Sequence, residues 1–441
     1  MNRPQLSLEY GVYGAVPKLL NDSFRRSATS VLSSAVLFVL ILLWAGCGET
    51  YRPVANPIPK PGGDPQGTHY ALVLNTNGGQ PPTTNGPTPS ATQIDVSGDT
   101  NMGNHVAGQN PVHAVMGPAF GRAYVVNQGD STLSTFSPLS GIAAIVSTIP
   151  LIGDNEPNAG ASYVASATSM AFVVETALNR VAVIDGNQLQ VIAFVPVGIN
   201  PVAVACTADG RKAYVTNQGS STVSVISTKD NTNQKNIPVG SSPGAIAIST
   251  DNNYVFVANQ GDGTVSVIDT NSDTEVLPNG ARLQVGSSPS QMIWDDGLKR
   301  LYVVNTGSAS VSVIDANAFP QKVLRTVSTS ASPVAVAALD NGTKFYVLFQ
   351  GTPGFVEVYD AQGFYKRTTI TVGNNTLPNG LPGVNQVLLA ASPGSTKVYA
   401  VNYYGDAVNT SGSTSIIRTL DDVVVVNMPS ASPNPVFVTA E

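Results

Sequence analysis

The stretch Lys212–Ile226, KAYVTNQGSSTVSVI, sets a pattern that recurs along the chain. Close copies are YVFVANQGDGTVSVI at Tyr254–Ile268 and RLYVVNTGSASVSVI at Arg300–Ile314, and weaker ones begin at Arg122 and Met170. Each copy carries an aromatic residue, and with two further segments the series is Tyr124, Phe172, Tyr214, Phe256, Tyr302, Tyr346 and Tyr399. Successive members lie 42 to 53 residues apart, a period typical of propeller blades.

Each repeat divides into four short strands separated by turn signals. In the repeat built on Lys212, PVAVA at 201–205 is the first strand, and an outer segment ending at Gly240 is the fourth. Gly-x-x-Pro leads into several repeats, because glycine permits the reversal and proline starts the next strand. Asn-Gln-Gly at 127–129, 217–219 and 259–261 indicates a turn between the second and third strands. The Ala-rich first strands fit the crowded axis of a propeller.

An eighth repeat is divided between the two ends of the chain. PVFVTA at Pro435–Ala440 resembles a first strand, whereas HYALVLN at His69–Asn75 and TQIDV at Thr92–Val96 resemble second and third strands. Joining them closes the ring and removes two exposed strand edges. We therefore predict an all-β fold, a β-propeller of eight four-stranded antiparallel blades closed by the N- and C-terminal strands. Seven blades is the alternative, with the divided repeat outside the ring.

The N-terminal region predicts export. Residues 31–45, VLSSAVLFVLILLWA, form an uncharged run that is shorter than the roughly 20 residues of a spanning helix but fits a signal-peptide core. The following AGCG at 45–48 resembles the lipobox of bacterial lipoproteins, although Trp44 replaces the preferred Leu. The resemblance implies lipidation of Cys47, with an uncleaved anchor as the alternative. We expect an export segment at 1–46, a Pro/Gly-rich tether at 47–67, and a propeller at 68–441 in the extracytoplasmic bacterial envelope.

The amino-acid composition limits the classes of partner that the protein can bind. Charged residues are 11% of the chain, and the net charge of −6 argues against a nucleic-acid surface, which needs clustered Lys and Arg. Two cysteines, Cys47 and Cys206, provide no disulfide framework. We expect a monomer that contacts the membrane through its N-terminal lipid and binds an envelope protein or polysaccharide.

The segments Tyr214–Asn217 and Thr222–Ser227 resemble the repeat of the bacterial YVTN-type β-propeller family. The likeness covers roughly residues 68–441 and departs from the motif at Glu175 and Phe349, which replace its asparagine. It implies an extracytoplasmic propeller of the cell surface or envelope. The family is also similar to the propellers of lactonases and of the haem d1 domain of nitrite reductases, a likeness of fold that carries little about function.

No catalytic, cofactor or metal site emerges from the motifs. The three histidines, His69, His105 and His113, are expected at a strand start, in a third-to-fourth-strand region, and on an innermost strand. These positions lie at different radii, so a shared metal site is not expected. There is no Cys-x-x-Cys-His for covalent haem, and Cys206 fits a small buried hydrophobe. We therefore predict neither a cofactor nor a metal.

Loop lengths point to a binding face. The long connections at 76–91, 153–160, 374–382 and 403–413 all join second to third strands or lead into the next blade, so they share one face. Insertions on one face of a repeat scaffold often mark a binding surface. The candidate binding residues are Asn374, Asn375, Tyr403, Tyr404 and Asp406. The favoured function is non-enzymatic binding. The alternative is a lactonase-like hydrolase, for which Asp406 and His113 are the candidate residues.

Overall fold

The chain folds into eight antiparallel sheets that form the blades of a propeller. The computed structural model describes residues 69–76, 88–117, 121–138, 146–153, 156–351, 353–373, 389–402, 412–429 and 435–440. Blade 1 is the divided one, and blades 2 to 8 follow in chain order. Within the described residues no helix is long and apolar enough to pass through a bilayer.

The strands of the first four blades run from the axis outward in each list. Blade 1 contains β33 (Pro435–Ala440), β1 (Tyr70–Asn75), β2 (Ser90–Asp95) and β3 (Thr100–Val106). Blade 2 contains β4 (Pro111–Met116), β5 (Ala123–Asn127), β6 (Thr132–Phe136) and β7 (Ser147–Pro150). Blade 3 contains β8 (Ala161–Ala167), β9 (Met170–Glu175), β10 (Arg180–Asp185) and β11 (Gln190–Pro196). Blade 4 contains β12 (Pro201–Cys206), β13 (Lys212–Asn217), β14 (Thr222–Ser227) and β15 (Thr232–Pro238).

The remaining blades follow the same order, and blade 5 has its outer strand in two pieces that both pair with its third strand. Blade 5 contains β16 (Pro243–Ile248), β17 (Tyr254–Asn259), β18 (Thr264–Asp269), β19 (Thr274–Val276) and β20 (Leu283–Gln284). Blade 6 contains β21 (Pro289–Asp295), β22 (Arg300–Asn305), β23 (Ser310–Asp315) and β24 (Lys322–Ser328). Blade 7 contains β25 (Pro333–Ala338), β26 (Lys344–Phe349), β27 (Phe355–Asp360) and β28 (Lys366–Thr371). Blade 8 contains β29 (Leu389–Ala391), β30 (Lys397–Asn402), β31 (Ser413–Arg418) and β32 (Val423–Pro429). Short 3-10 helices lie at Thr176–Leu178, Pro278–Gly280, Thr306–Ser308 and Pro393–Ser395.

The ring closes through the predicted divided blade. The C-terminal strand β33 pairs antiparallel with β1, which pairs with β2. The innermost strands pack side by side in the order β33, β4, β8, β12, β16, β21, β25 and β29, and β29 packs against β33. The prediction of eight blades with a shared closing blade is therefore confirmed, and the seven-bladed alternative is not.

The recurring aromatic residue fills the space between blades. All seven members of the series, Tyr124 to Tyr399, are buried on the second strands. Rings of this size each contribute roughly 1.5–3 kcal/mol when they leave water. Because each blade is covered by neighbours on both faces, the second strands are buried along almost their whole length instead of alternating.

The asparagine that ends the second strand ties that strand to the third. The Nδ2 atom of Asn217 donates to the hydroxyl groups of Thr222 at 3.1 Å and Ser224 at 2.9 Å. The side chain is fully buried, so each of these bonds satisfies a polar group that has left water. The same pair of bonds is made by Asn75, Asn127, Asn259, Asn305 and Asn402.

The glycine of Gly-x-x-Pro packs directly on that asparagine. A Cβ atom added to Gly240 would lie 2.4 Å from Cγ of Asn259, and one added to Gly198 would lie 2.7 Å from Cγ of Asn217. The Gly198 amide donates to Oδ1 of Asn217 at 3.1 Å. Close approach of the backbone therefore explains this glycine better than turn conformation alone.

Hydrogen-bonded ion pairs join neighbouring blades on the face where third strands turn into fourth strands. Lys212 of blade 4 donates to Asp273 of blade 5 at 2.7 Å, and the hydroxyl of Tyr214 donates to the same carboxylate at 2.7 Å. The arrangement recurs between blades 7 and 8 with Lys344, Tyr346 and Asp422, and at the ring closure blade 8 meets blade 1 through Lys397 and Asp99.

Adding one methyl group at the glycine contact tests its importance. Gly240→Ala should lower the free energy of unfolding by about 1–3 kcal/mol, because the new Cβ would overlap Asn259. Gly244→Ala is the matched control, since nothing lies within 4 Å of a Cβ at that position four residues on. Chemical denaturation of both variants checks the prediction, and equal stabilities would contradict it.

Candidate functional site

The five candidate binding residues, Asn374, Asn375, Tyr403, Tyr404 and Asp406, lie outside the described residues, as does Cys47. The structure does describe the chain on both sides of the two loops that carry the five. Gly373 and Asn402, which immediately precede them, are in contact: a Cβ added to Gly373 would lie 2.8 Å from Cγ of Asn402. Gly373 and Asn402, the last described residues before the two loops, therefore lie next to each other.

The face that carries the turns between second and third strands has a regular backbone framework. In blade 4 the amide of Gln218 donates to the carbonyl of Asn200 at 2.9 Å, and the amide of Gly219 donates to Ile199 at 2.9 Å. Each turn between second and third strands is thus bonded to the segment that enters its own blade. Equivalent pairs of bonds occur in blades 2, 3, 5 and 6. The turns form a fixed platform on which side chains can be displayed.

Side-chain amides line this platform, and we call it the amide face: Asn110, Gln128, Asn158, Asn200, Gln218 and Gln260. Nδ2 of Asn200 donates to Oε1 of Gln218 at 2.9 Å, and Nε2 of Gln218 reaches Oε1 of Gln260 at 3.5 Å. Blade 2 repeats the bond between Asn110 and Gln128 at 3.2 Å. The glutamines are only partly exposed, yet each amide keeps further donor or acceptor capacity. The arrangement can offer paired, uncharged hydrogen-bonding groups to a ligand.

One charged cluster interrupts the amide face in blade 3. Glu175 stands where other blades carry the asparagine, and Arg180 stands where they carry Thr or Ser. Arg180 donates through Nε to Glu175 and through Nη2 to Glu156 at 2.8 Å. Its guanidinium also lies 3.8 Å from the ring centre of Phe194. The sequence signal for this pair was the replaced asparagine together with an arginine five residues later.

The Glu175 carboxyl is in an unusual state. It is fully buried, and its Oε1 atom has no hydrogen-bond partner among the described residues. Burial raises the pKa of Glu175 to about 7, against the opposing effect of its hydrogen bond with Arg180. The carboxyl therefore changes protonation near neutral pH, while the hydrogen bond from Arg180 holds the pKa of the exposed Glu156 below its usual value.

His113 lies on an innermost strand, as predicted, and its role is structural. Its Nδ1 accepts the backbone N–H of Val164 in the next blade at 3.4 Å, and its ring stacks on Tyr163 at 3.7 Å. In the same way, Oε1 of Gln291 in blade 6 accepts the backbone N–H of Val336 in blade 7 at 2.8 Å. Burial lowers the pKa of His113 to about 3, which keeps the ring neutral and able to accept this bond. No motif in the sequence predicted that His113 would accept a backbone bond from the next blade.

The other histidines and Cys206 show no shared site. His69 precedes β1, as predicted. His105 was expected in a third-to-fourth-strand region, and it lies in β3, the fourth strand of blade 1, where it stacks on Phe136 at 3.8 Å and pairs with Gln93 at 3.0 Å. Burial raises the pKa of Cys206 and so disfavours its thiolate. Among the described residues, no three His, Cys, Asp or Glu side chains stand close enough together to share a metal ion.

Comparison with known proteins supports the fold. Residues 229–340 match the model of the lactonase family, described as a seven-bladed β-propeller. No curated protein is matched by the sequence of this chain. The matched segment spans a quarter of the chain and runs from blade 4 into blade 7, within a ring that has eight blades here.

Solved structures give the same picture. Apo AztD from Citrobacter koseri is 11% identical, with a TM-score of 0.60 and coverage of 85% of this chain and 98% of that chain. Dihydro-heme d1 dehydrogenase NirN in complex with DHE is 13% identical, with a TM-score of 0.60 and coverage of 83% and 74%. A protein of unknown function from Desulfotomaculum acetoxidans is 14% identical, with a TM-score of 0.51 and coverage of 83% and 98%. The predicted resemblance to lactonase-like and haem d1-like propellers is confirmed as a likeness of fold, whereas the lipoprotein signal stays a prediction.

The raised pKa of Glu175 predicts a pH-dependent stability. An acid whose pKa rises on folding, from 4.5 to about 7, costs stability progressively as pH increases across that interval. Glu175→Gln should therefore flatten the fall in Tm between pH 4.5 and 7. Glu156→Gln is the control and should keep the slope, because that carboxyl is exposed and has no raised pKa. Identical slopes in wild type and Glu175→Gln would refute the assignment.

Proposed function

We propose that this protein is a non-enzymatic, envelope-anchored binding module whose amide face holds a protein or polysaccharide of the bacterial envelope. The observation that carries the proposal is the set of hydrogen-bonded Asn and Gln side chains in blade 2 and across blades 4 and 5. Amides supply a donor and an acceptor side by side, which suits sugar hydroxyls and peptide backbones alike. Bonds among the amides fix their positions in advance, so less conformational entropy is lost on binding.

The low charge of the amide face suits an uncharged or weakly charged partner. Arg180 is paired with the carboxyl groups of Glu156 and Glu175. Asp130 and Asp262 accept backbone amides of the adjoining entry segments at 2.9 Å and 2.6 Å. These carboxylates bind backbone N–H groups of the platform itself. We therefore assign recognition of the partner to the neutral amides.

We assign Asn374, Asn375, Tyr403, Tyr404 and Asp406 to the same proposed surface, because Gly373 and Asn402, the described residues that precede them in the chain, are in contact. Tyrosine presents a flat apolar ring with a polar tip, a combination favoured at binding surfaces.

We also propose that the protein is lipidated at Cys47 and lies within the extracytoplasmic envelope.

A lactonase-like hydrolase is the second candidate, and the family-model match over residues 229–340 favours it. His113 is occupied by its bond to Val164, so it offers this reaction little. Asp406 stays as the proposed acid for such an activity. Lactone hydrolysis by the purified protein, abolished in Asp406→Ala, would favour the hydrolase over the binding module.

Replacing three amide side chains by alanine on either face of the ring tests the binding surface. Gln128→Ala, Gln218→Ala and Gln260→Ala combined should weaken retention on insoluble envelope polysaccharide, or capture of envelope proteins, by tenfold or more. The control combines Asn187→Ala, Asn271→Ala and Asn317→Ala, three exposed amides on the opposite face. Full-length protein in detergent is compared by quantitative pull-down, with a thermal melt to show folding. Equal retention by both triple variants would eliminate the amide face.

Lipidation can be measured directly. Metabolic labelling with a clickable fatty acid should modify the wild-type protein and leave Cys47→Ser unlabelled, because Cys47 supplies the thiol of the lipobox-like AGCG. Cys206→Ser is the control and should label normally, since Cys206 lies in a folded strand. Labelling of Cys47→Ser at the wild-type level would overturn the assignment.

A further inference from the structure

Blade 7 departs from the repeat at three positions that meet in space. Ser330 replaces the glycine of Gly-x-x-Pro, Phe349 replaces the asparagine, and Glu357 replaces the serine that the asparagine normally binds. Phe349 stacks instead on Phe355 at 4.6 Å. The hydrogen-bond set that six other blades use has thus been exchanged for an aromatic pair and a buried acid.

The buried acid is completely enclosed by donors. Glu357 is 1% exposed, and it accepts hydrogen bonds from Ser330, from the Tyr359 hydroxyl at 2.6 Å and from Lys366 Nζ at 3.0 Å. Burial alone would raise the pKa of Glu357, but these bonds together hold it below its usual value, so the group is ionised. A buried ion pair rarely improves on well-packed neutral groups. Six other blades use uncharged asparagine and hydroxyl groups at these positions, so the fold does not require an ion pair here.

A groove lies above this ion pair, between the outer strands of blades 6 and 7. Its volume is about 450 Å³, within the range of small-ligand sites. Glu357 and its bonds fix the rotamers of Tyr359 and Lys366, which form one wall. The residues on which recognition would depend are Arg325, Ser328, Thr329, Tyr359, Phe364 and Lys366.

The groove is positively charged in a protein whose net charge is −6. Arg325 is exposed and no described carboxylate pairs with it, while Lys366 is 45% exposed above Glu357. The lining residues therefore carry two cations, Arg325 and Lys366, against the one buried carboxylate of Glu357. This balance favours an anionic ligand, and Arg325 is free to bind a carboxylate with two parallel hydrogen bonds.

We propose that this groove binds a carboxylate-bearing sugar, such as a uronic acid within an acidic oligosaccharide. Arg325 and Lys366 hold the carboxylate, Ser328 contacts ring hydroxyls, and Phe364 packs against an apolar sugar face. The volume suits a few sugar rings. The site is separate from the amide face and does not rest on the function proposed for it.

Calorimetric titration with trigalacturonic acid tests the proposal, using full-length protein in detergent at low salt. Binding should be detectable, should weaken at raised ionic strength, and should be absent for the methyl-esterified trimer, which lacks the charges. Arg325→Gln should weaken binding at least tenfold. Arg211→Gln is the matched control, since its side chain is 84% exposed on another part of the ring.

A second variant separates a ligand role from a structural one. Lys366→Arg keeps the partner of Glu357 and should retain most of the binding, whereas Arg325→Glu should abolish binding without lowering Tm, because Arg325 makes no described ion pair. An equal affinity of wild type for the methyl ester, no effect of Arg325→Gln, or tighter binding of a glutamate-rich peptide than of the trimer would each overturn the proposal. The triple amide-face variant should bind the trimer normally, so failure of one proposal is distinguishable from failure of the other.

Discussion

The structure depends on one buried amide in each regular blade. The asparagine at the end of the second strand donates to two hydroxyls of the third strand, as Asn259 does to Thr264 and Ser266 at 3.0 Å each. The glycine that enters the blade packs on the same side chain. One residue thereby joins the inner, second and third strands, and its removal would leave buried hydroxyls and a cavity at once. Because the contact is made within a blade, each of the six regular blades is stabilised by its own copy of it.

The two blades that lack this asparagine carry buried acids instead. Blade 3 has Glu175 with Arg180, and blade 7 has Glu357 with Lys366. The physical outcome differs, because burial raises the pKa of Glu175 while the bonds to Glu357 lower its pKa. Departures from a locally consistent pattern occur where a protein uses a site for something other than folding. In a repeat ring such changes are tolerated, since neighbouring blades retain their own contacts.

Much of the fold was predictable, because the decisive information is local and periodic. The strand lengths, the turn residues and the split repeat at Pro435–Ala440 all follow from segments that can be compared by eye. Contacts between blades were not predictable in this way. The clamp from Lys212 and Tyr214 to Asp273 joins residues about sixty positions apart, and nothing in either segment alone identifies the partner. The strand-edge bond accepted by His113 was missed for the same reason, since it depends on which blade follows.

The two candidate sites also differ in how far local sequence motifs predict them. The amide face was partly foreseeable, because Gln218 and Gln260 belong to turn motifs whose side of the ring follows from strand order. The groove was not, because Arg325 belongs to an outer strand of one blade and Lys366 to the next, and neither lies in a motif. Outer strands of neighbouring blades come together at every blade boundary. The charged groove lies at the boundary of blade 7, which lacks the neutral contact between the asparagine and the hydroxyl groups of the third strand. Ser330 stands in the position of the crowded glycine in the blade where Phe349 replaces the asparagine, and its hydroxyl donates to Glu357. The groove therefore lies beside three linked changes in one blade, because Ser330, Phe349 and Glu357 replace the glycine, the asparagine and the serine that contact one another in a regular repeat.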